Sequence, residues 1–229
     1  MTNRGAIAVF VKTPGHSPVK TRLAASVGVE RAEELYRLCL TATEAVVARA
    51  CRVAAVDGYW AVAESNCLHL PRWRSLPAIS QGVGGLGDRL DFVYGSLLER
   101  HPFVLLVGAD APLLSAEAVL AAATAMTGNH ASFAISRASD GGYVMFAGRM
   151  PLPREVWTSV PYSASNTAEE FISRLRRFGE VIELEPFDDV DVIVDLRQLI
   201  AAENRVPLPE QRAVVDFARR LVADVSGDG

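Results

Sequence analysis

Residues Phe103–Val107 read FVLLV, an unbroken apolar run that ends at once in Gly108, Ala109 and Asp110. A strand that is apolar on both faces needs cover on both faces, which is the setting of a parallel sheet between two layers of helix. Ala6–Val11, AIAVFV, is a second run of this kind near the start of the chain. Between the two, Leu35, Leu38, Cys39, Ala42 and Val46 recur at helical spacing. Strands alternating with helical stretches through the first 127 residues predict a mostly parallel sheet.

Further elements fit the same scheme. Arg52–Val56 and Pro77–Ser80 are strand candidates, and a helix is expected from about Gly87 to Glu99. Another is expected over Ser115–Met126, with the Ser115 hydroxyl placed to cap it and Glu117 in its first turn. Ala131–Ser136 and Tyr143–Ala147 flank the turn SDGG as a strand pair, which makes the sheet mixed. Asn166-x-x-Glu169 has capping-box spacing for a helix over Thr167–Arg177. Val181–Leu184 reads as a strand and two helices follow; residues 57–74 show no clear period. With no repeat or linker, the expectation is one α/β domain over residues 1–229.

Half of the residues are hydrophobic and 22% are charged, as in a folded soluble protein. A net charge of -4 argues against nucleic acid as a partner. Cys39, Cys51 and Cys67 form no CxxC pair, and His16, His69, His101 and His130 are isolated. That pattern fits reduced thiols and speaks against a zinc site. No apolar run approaches the roughly 18 residues of a membrane span, and Lys12 interrupts the first run too early for a secretion signal. A cytoplasmic location is expected.

Against this acidic background, VKTPGHSPVKTRL at Val11–Leu23 carries Lys12, His16, Lys20 and Arg22 and no acid. It leaves the carboxyl end of the first strand, where open α/β sheets bind ligands. Arg22 can grip a phosphate with its planar fork and Lys20 supplies a point charge. Gly15 permits a positive φ or a close backbone approach. A phosphate-binding loop is the expectation; the plainer alternative is a solvated loop held by weak surface ion pairs. The loop is no Walker motif, because Val19 stands where the second glycine must be.

GVGGLG at Gly82–Gly87 satisfies G-x-G-x-x-G, yet the preceding PAISQ is a weak strand for a dinucleotide fingerprint. These glycines are read instead as a loop near the site. Asp110 puts a carboxylate at the mouth of an apolar strand, which is costly unless paired. A divalent cation bridging to a phosphorylated ligand would pair it, and capping of the turn at Pro112 is the alternative. In FDDVDVIVD, alternation places Asp189 and Asp191 on one face of an extended segment. Either could be a second ligand, and the simpler reading is that Asp191 caps the helix that follows. DGGY at Asp140–Tyr143 reads as a hairpin turn.

Taken in order, AVFVKTPGHSPVKTRLA, GGLGDRL, VLLVGADAPLLS, DGGYVMFAG and DVDVIVDL resemble one family over residues 6 to about 200. It is the bacterial GT-A-like transferases described as radical-SAM/selenodomain-associated transferases or arsenosugar-biosynthesis glycosyltransferases. The resemblance implies a nucleotide-diphospho-sugar transferase fold, three-layer α/β/α with a mixed, mostly parallel sheet. It implies nucleotide contacts at Lys12, Thr13, Pro14, Gly15, Lys20, Arg22 and Arg89, and Mg²⁺ or Mn²⁺ at Asp110 and Asp191. It further implies acceptor contacts at Gly141, Gly142 and Tyr143, with Asp140 and Lys20 as catalytic candidates. The family's Asp-Leu-Gly reads Gly85-Leu86-Gly87 here, and its late Asp-x-Asp-Thr-Pro reads Asp189-Val190-Asp191-Val192-Ile193. Its Trp-Ser-Thr is matched loosely by Pro161-Tyr162-Ser163.

The expected function is a metal-dependent transfer from a nucleotide-activated donor, foremost a nucleotide sugar, to a small-molecule hydroxyl acceptor. The alternatives are a nucleotidyltransferase of the guanylyl or cytidylyl kind, which releases pyrophosphate, and a non-catalytic nucleotide-binding module. One scaffold hosts all three.

Overall fold

The computed structural model describes residues 4–128 and 131–227, so His130 lies outside the described residues. The chain opens with β1 (Gly5–Val11), α1 (Thr21–Val27) and α2 (Val29–Val53). Next come β2 (Val56–Val62), β3 (Ala78–Ser80), α3 (Leu86–Leu98), β4 (Val104–Gly108) and α4 (Ala116–Thr127). The hairpin β5 (Phe133–Arg137) and β6 (Tyr143–Gly148) follows, then α5 (Arg154–Thr158) and α6 (Thr167–Leu175). The chain closes with β7 (Val181–Glu183), α7 (Ile193–Ala201) and α8 (Pro209–Gly227).

The seven strands form one sheet in the order β3-β2-β1-β4-β6-β5-β7. Strands β1, β2, β3 and β4 are mutually parallel, β5 is parallel to β7, and β6 runs against both of its neighbours. The expected mixed sheet between helical layers is therefore the fold. Alternate side chains of β1 supply two cores. Ile7, Val9 and Val11 pack with residues of α2, α4, α7 and α8, while Ala6 and Ala8 face Leu90, Tyr94, Trp157 and Phe171. Both faces of the central strands are sealed, so only their ends are available for chemistry.

Two expectations need correction. The second strand is not Arg52–Val56: α2 continues to Val53, and β2 begins at Val56. Its apolar pattern is broken by Asp57, which accepts a 2.6 Å bond from Arg4 Nε, and by Gly58, which lies beneath Val47 and Leu76. Asn166 makes no side-chain cap on α6. Thr167 ties that corner instead, its hydroxyl donating to the Pro161 carbonyl at 2.7 Å. The Ser115 cap forms as expected, with the Ala118 N–H donating to Oγ at 3.1 Å.

Candidate functional site

The chain leaves β1 toward β2 on one side of the sheet, whereas β4 lies on the other side of β1. This reversal of direction opens a crevice at the carboxyl ends of the two central strands. The basic loop after Val11 lines one wall and Asp110, two residues past β4, lines the other.

Lys20 crosses the crevice. It is a non-glycine residue in the left-handed region, with φ 47° and ψ 43°, immediately before α1. Its side chain is only 3% exposed, and Nζ lies 2.8 Å from both Asp110 Oδ2 and Asp191 Oδ1. Asp191 belongs to the extended segment after β7, which is tied down where the Val190 N–H donates to the Asp110 carbonyl at 3.1 Å. One oxygen from each of Asp110, Asp189 and Asp191 lies within 4.8 Å of the others. The reading of Asp191 as a helix cap does not hold. Asp195 serves α7, accepting from the N–H groups of Asp191 and Val192 at 2.7 and 2.8 Å, which leaves the Asp191 carboxylate turned to Lys20.

The protonation states follow from this packing. Burial alone would lower the Lys20 pKa, but Asp110 and Asp191 more than offset it and hold the ammonium charged. Burial would raise Asp110, and Lys20 brings it below its ordinary value. At Asp189 the pull of Lys20 is outweighed: burial, together with Asp110 and Asp191, pushes its carboxyl up to about 7. The Cys39 thiol, fully buried beside this group, is pushed up to about 12 by burial and is no nucleophile. Three carboxylates of this kind form an oxygen donor set suited to a hard divalent cation, which normally takes one or two carboxylates and completes its shell with phosphate and water. Asp110 and Asp191, with Asp189 beside them, are the residues that could hold Mg²⁺ or Mn²⁺.

The basic loop is held from beneath. Thr13 N–H donates to Glu64 Oε2 at 2.8 Å, and Lys12 N–H donates to Tyr36 Oη at 3.0 Å. Gln81, 5% exposed, donates to the carbonyls of Val11 and Ala61 at 3.2 and 2.8 Å and so ties the ends of β1 and β2 together. Gly15 takes φ 81°, a conformation that other residues adopt at a cost.

Two hollows adjoin at the crevice, sharing Phe10, Leu86, Ser163 and Asp191. The larger, about 580 Å³, is lined by Lys12, Lys20 and Arg22 together with Tyr36, Gln81 and Asp110. The smaller, about 290 Å³, presents Asp140, Asp189 and Asp191 among apolar and hydroxyl-bearing walls that include Leu106, Tyr143 and Tyr162. No lysine, arginine or histidine lines the smaller hollow among the described residues. The hairpin turn is fixed: Gly141 has φ 90°, and a Cβ there would lie 1.8 Å from the Ser165 carbonyl oxygen. Asp140 Oδ1 accepts the Gly142 N–H at 2.8 Å.

Residues 40–164 match the bacterial family described as "Uncharacterized protein conserved in bacteria (DUF2064)". The chain belongs to that family. No curated protein matches the sequence. Among solved structures, a protein from Desulfovibrio desulfuricans G20, described provisionally as a nucleotide-diphospho-sugar transferase, superposes with a TM-score of 0.83. The two are 24% identical over 99% of this chain and 98% of that one. The 4-diphosphocytidyl-2C-methyl-D-erythritol synthase of Anaerococcus prevotii DSM 20548 gives 0.55 at 12% identity, over 84% of this chain and 94% of that one. Rv0371c from Mycobacterium tuberculosis H37Rv gives 0.55 at 15%, over 87% and 98%. At these identities the likeness speaks for the fold.

Within this DUF2064 chain, the candidate residues divide by where the fold puts them. Lys12, Lys20, Arg22 and Asp110 line the larger hollow, Asp140, Gly142 and Tyr143 the smaller, and Asp191 both. Thr13 and Pro14 are buried under the basic loop, and with the exposed Gly15 they shape it without lining the hollow. Gly141 packs against Ser165 and acts through its conformation. Arg89 is not among the residues lining either hollow; its Nε donates to the Gly84 carbonyl at 3.1 Å and its Nη1 to Oε1 of Gln81, a lining residue of the larger hollow, at 3.3 Å. The GVGGLG loop follows the edge strand β3 rather than a central one and contributes Leu86 to both hollows, which fits a wall of the site and not a dinucleotide turn. Tyr36, Glu64, Gln81 and Asp189 complete the site. Of these, Asp189 alone carried a signal in sequence, its alternation with Asp191.

Proposed function

We propose that this chain transfers a sugar from a nucleotide sugar to a small, uncharged hydroxyl acceptor, assisted by Mg²⁺ or Mn²⁺. The observation that carries this reading is that the lysines and arginine of the crevice line one of the two adjoining hollows and none lines the other. The larger has three cations against the carboxylates of Asp110 and Asp191, and the volume for a nucleoside diphosphate. The smaller has Asp140, Asp189 and Asp191 and no cation among its lining; with Asp189 and Asp191 turned to the metal, Asp140 remains to repel an anionic acceptor and suit a neutral one.

In this account Lys12, Lys20 and Arg22 bind the diphosphate, and Arg22 offers the bidentate geometry. Asp110 and Asp191, with Asp189, would hold the metal, which when bound offsets charge on the departing diphosphate. Asp140, fixed by the Gly142 N–H, orients the acceptor hydroxyl and takes its proton. The acceptor oxygen forms a bond to the anomeric carbon. The bond from that carbon to the diphosphate oxygen breaks, and its electron pair leaves with the diphosphate. Phe10 and Leu86 line the junction of the two hollows, where donor and acceptor would meet.

A thermal-shift panel of nucleoside diphosphates, nucleoside triphosphates and nucleotide sugars, with and without Mn²⁺, tests the reading. Stabilisation by at least one nucleotide sugar, larger with Mn²⁺, is expected. Stabilisation by triphosphates alone would favour the nucleotidyltransferase, and no response to any nucleotide would remove both.

A further inference from the structure

The ammonium of Lys20 already occupies the carboxylates that a divalent cation would use. Nζ is 2.8 Å from Asp110 Oδ2 and 2.8 Å from Asp191 Oδ1, and the side chain is almost wholly enclosed. Two of the three acids that could hold the ion are therefore engaged by an internal cation. We infer that Lys20 and the divalent ion exclude one another at Asp110 and Asp191, and that the ion enters when a diphosphate draws the Lys20 ammonium away. This inference rests on the metal-assisted reading above.

Three features support an exchange. An ammonium within hydrogen-bonding distance of an oxygen repels any second cation brought to that oxygen, and more strongly where water is scarce. Lys20 also lines the larger hollow beside Lys12 and Arg22, so its alternative partner, a phosphate, would lie on the side from which the residue projects. Finally, a lysine has a long stem that reaches different partners by rotation of its side-chain bonds, with the backbone unchanged. The exchange also keeps charge balanced at each step. The acids are never without a cation, and Lys20 is never buried without an anion.

The consequence is an order of binding. Free metal should bind the empty protein poorly, and nucleotide should create the metal site by removing its occupant. Lys20 is in this respect a positioning residue for the acids as well as a phosphate ligand.

The experiment is a titration with Mn²⁺ alone, following the electron paramagnetic resonance signal of free Mn²⁺, on the nucleotide-free chain and on Lys20→Met. Asp110→Asn identifies binding at this site. Lys20→Met should bind Mn²⁺ at least about tenfold more tightly than the unaltered chain, in the range of ordinary coupling between sites. Its melting temperature should also rise more on addition of Mn²⁺. Lys20→Arg, which keeps the cation, should stay weak, and Lys20→Gln replaces Lys20→Met if the methionine variant folds poorly. If Asp110-dependent Mn²⁺ binding is present but equal in the unaltered chain and in the neutral variants, the exchange is wrong and the metal site stands. If no variant binds Mn²⁺, with or without a nucleoside diphosphate, both the exchange and the metal-assisted reading fall.

Discussion

Lys20 Nζ and Asp191 Oδ1 lie 2.8 Å apart although 171 positions separate them in the chain. The bond joins the loop after the first strand to the segment before α7, and Asp110 joins the same ammonium from the end of β4. Asp191→Asn leaves Lys20 with Asp110 and should cost about 1–2 kcal/mol of stability. Asp110→Asn combined with Asp191→Asn should cost more than the sum of the single changes, because Lys20 then stays buried without either partner. Denaturant unfolding of the four proteins measures this, and simple additivity would contradict the shared role.

Glu64 sets the acid stability of the basic loop. Burial favours its neutral form, but hydrogen bonds from Ser17 and Thr13 prevail and hold its pKa below the ordinary glutamate value. The unfolded state therefore binds the proton more readily, so the contribution is fully present above the ordinary pKa of about 4.3 and fades as pH falls through the folded value. Glu64→Gln should lower the melting temperature at pH 7, with the difference from the unaltered chain shrinking toward pH 3. Parallel melting curves across that range would contradict the assignment.

Gly141→Ala probes the turn that fixes Asp140. The substitution combines a φ of 90° with a contact of 1.8 Å to the Ser165 carbonyl oxygen, and neither can relax without moving the turn. A loss of about 3 kcal/mol or more is expected. Unfolding at equilibrium checks it, and a variant within 1 kcal/mol of the unaltered chain would contradict the tightness of this corner.

How much of this was legible depended on whether a residue acts through its own segment or through a distant one. The runs AIAVFV and FVLLV are apolar on both faces, so β1 and β4 could be read directly, and Ser115 announced the start of α4. β2 was displaced because its sequence VDGYWAV owes Asp57 to Arg4 and Gly58 to the packing of Val47 and Leu76, all distant in sequence. The same holds for the site. Asp110 stood out as a charge at the end of an apolar strand, and the basic loop as a local excess of cations. Glu64 and Gln81 act across 51 and 70 positions and left no local pattern. Arg89 comes from the same GGLGDRL stretch as Leu86, which lines both hollows, and its own hydrogen bonds go to Gly84 and Gln81.

Arg22 lines the larger hollow with its side chain 66% exposed and 3.7 Å from Asp191 Oδ2, a loose contact that leaves the guanidinium able to meet a ligand. Arg22→Lys keeps the charge but removes the planar fork, and should weaken nucleoside diphosphate binding by roughly tenfold. Calorimetric titration with the diphosphate that stabilises the protein best reads the change. Unaltered affinity would place Arg22 outside the phosphate contacts.

The most direct measurement is the identity of the phosphate product. The chain is incubated with Mn²⁺, a metabolite extract as the acceptor source, and in turn each nucleotide sugar and each nucleoside triphosphate. The account predicts release of a nucleoside diphosphate from a nucleotide sugar, abolished by Asp110→Asn, and no pyrophosphate from any triphosphate. Sustained pyrophosphate release that Asp110→Asn abolishes would contradict it and assign the crevice to nucleotidyl transfer.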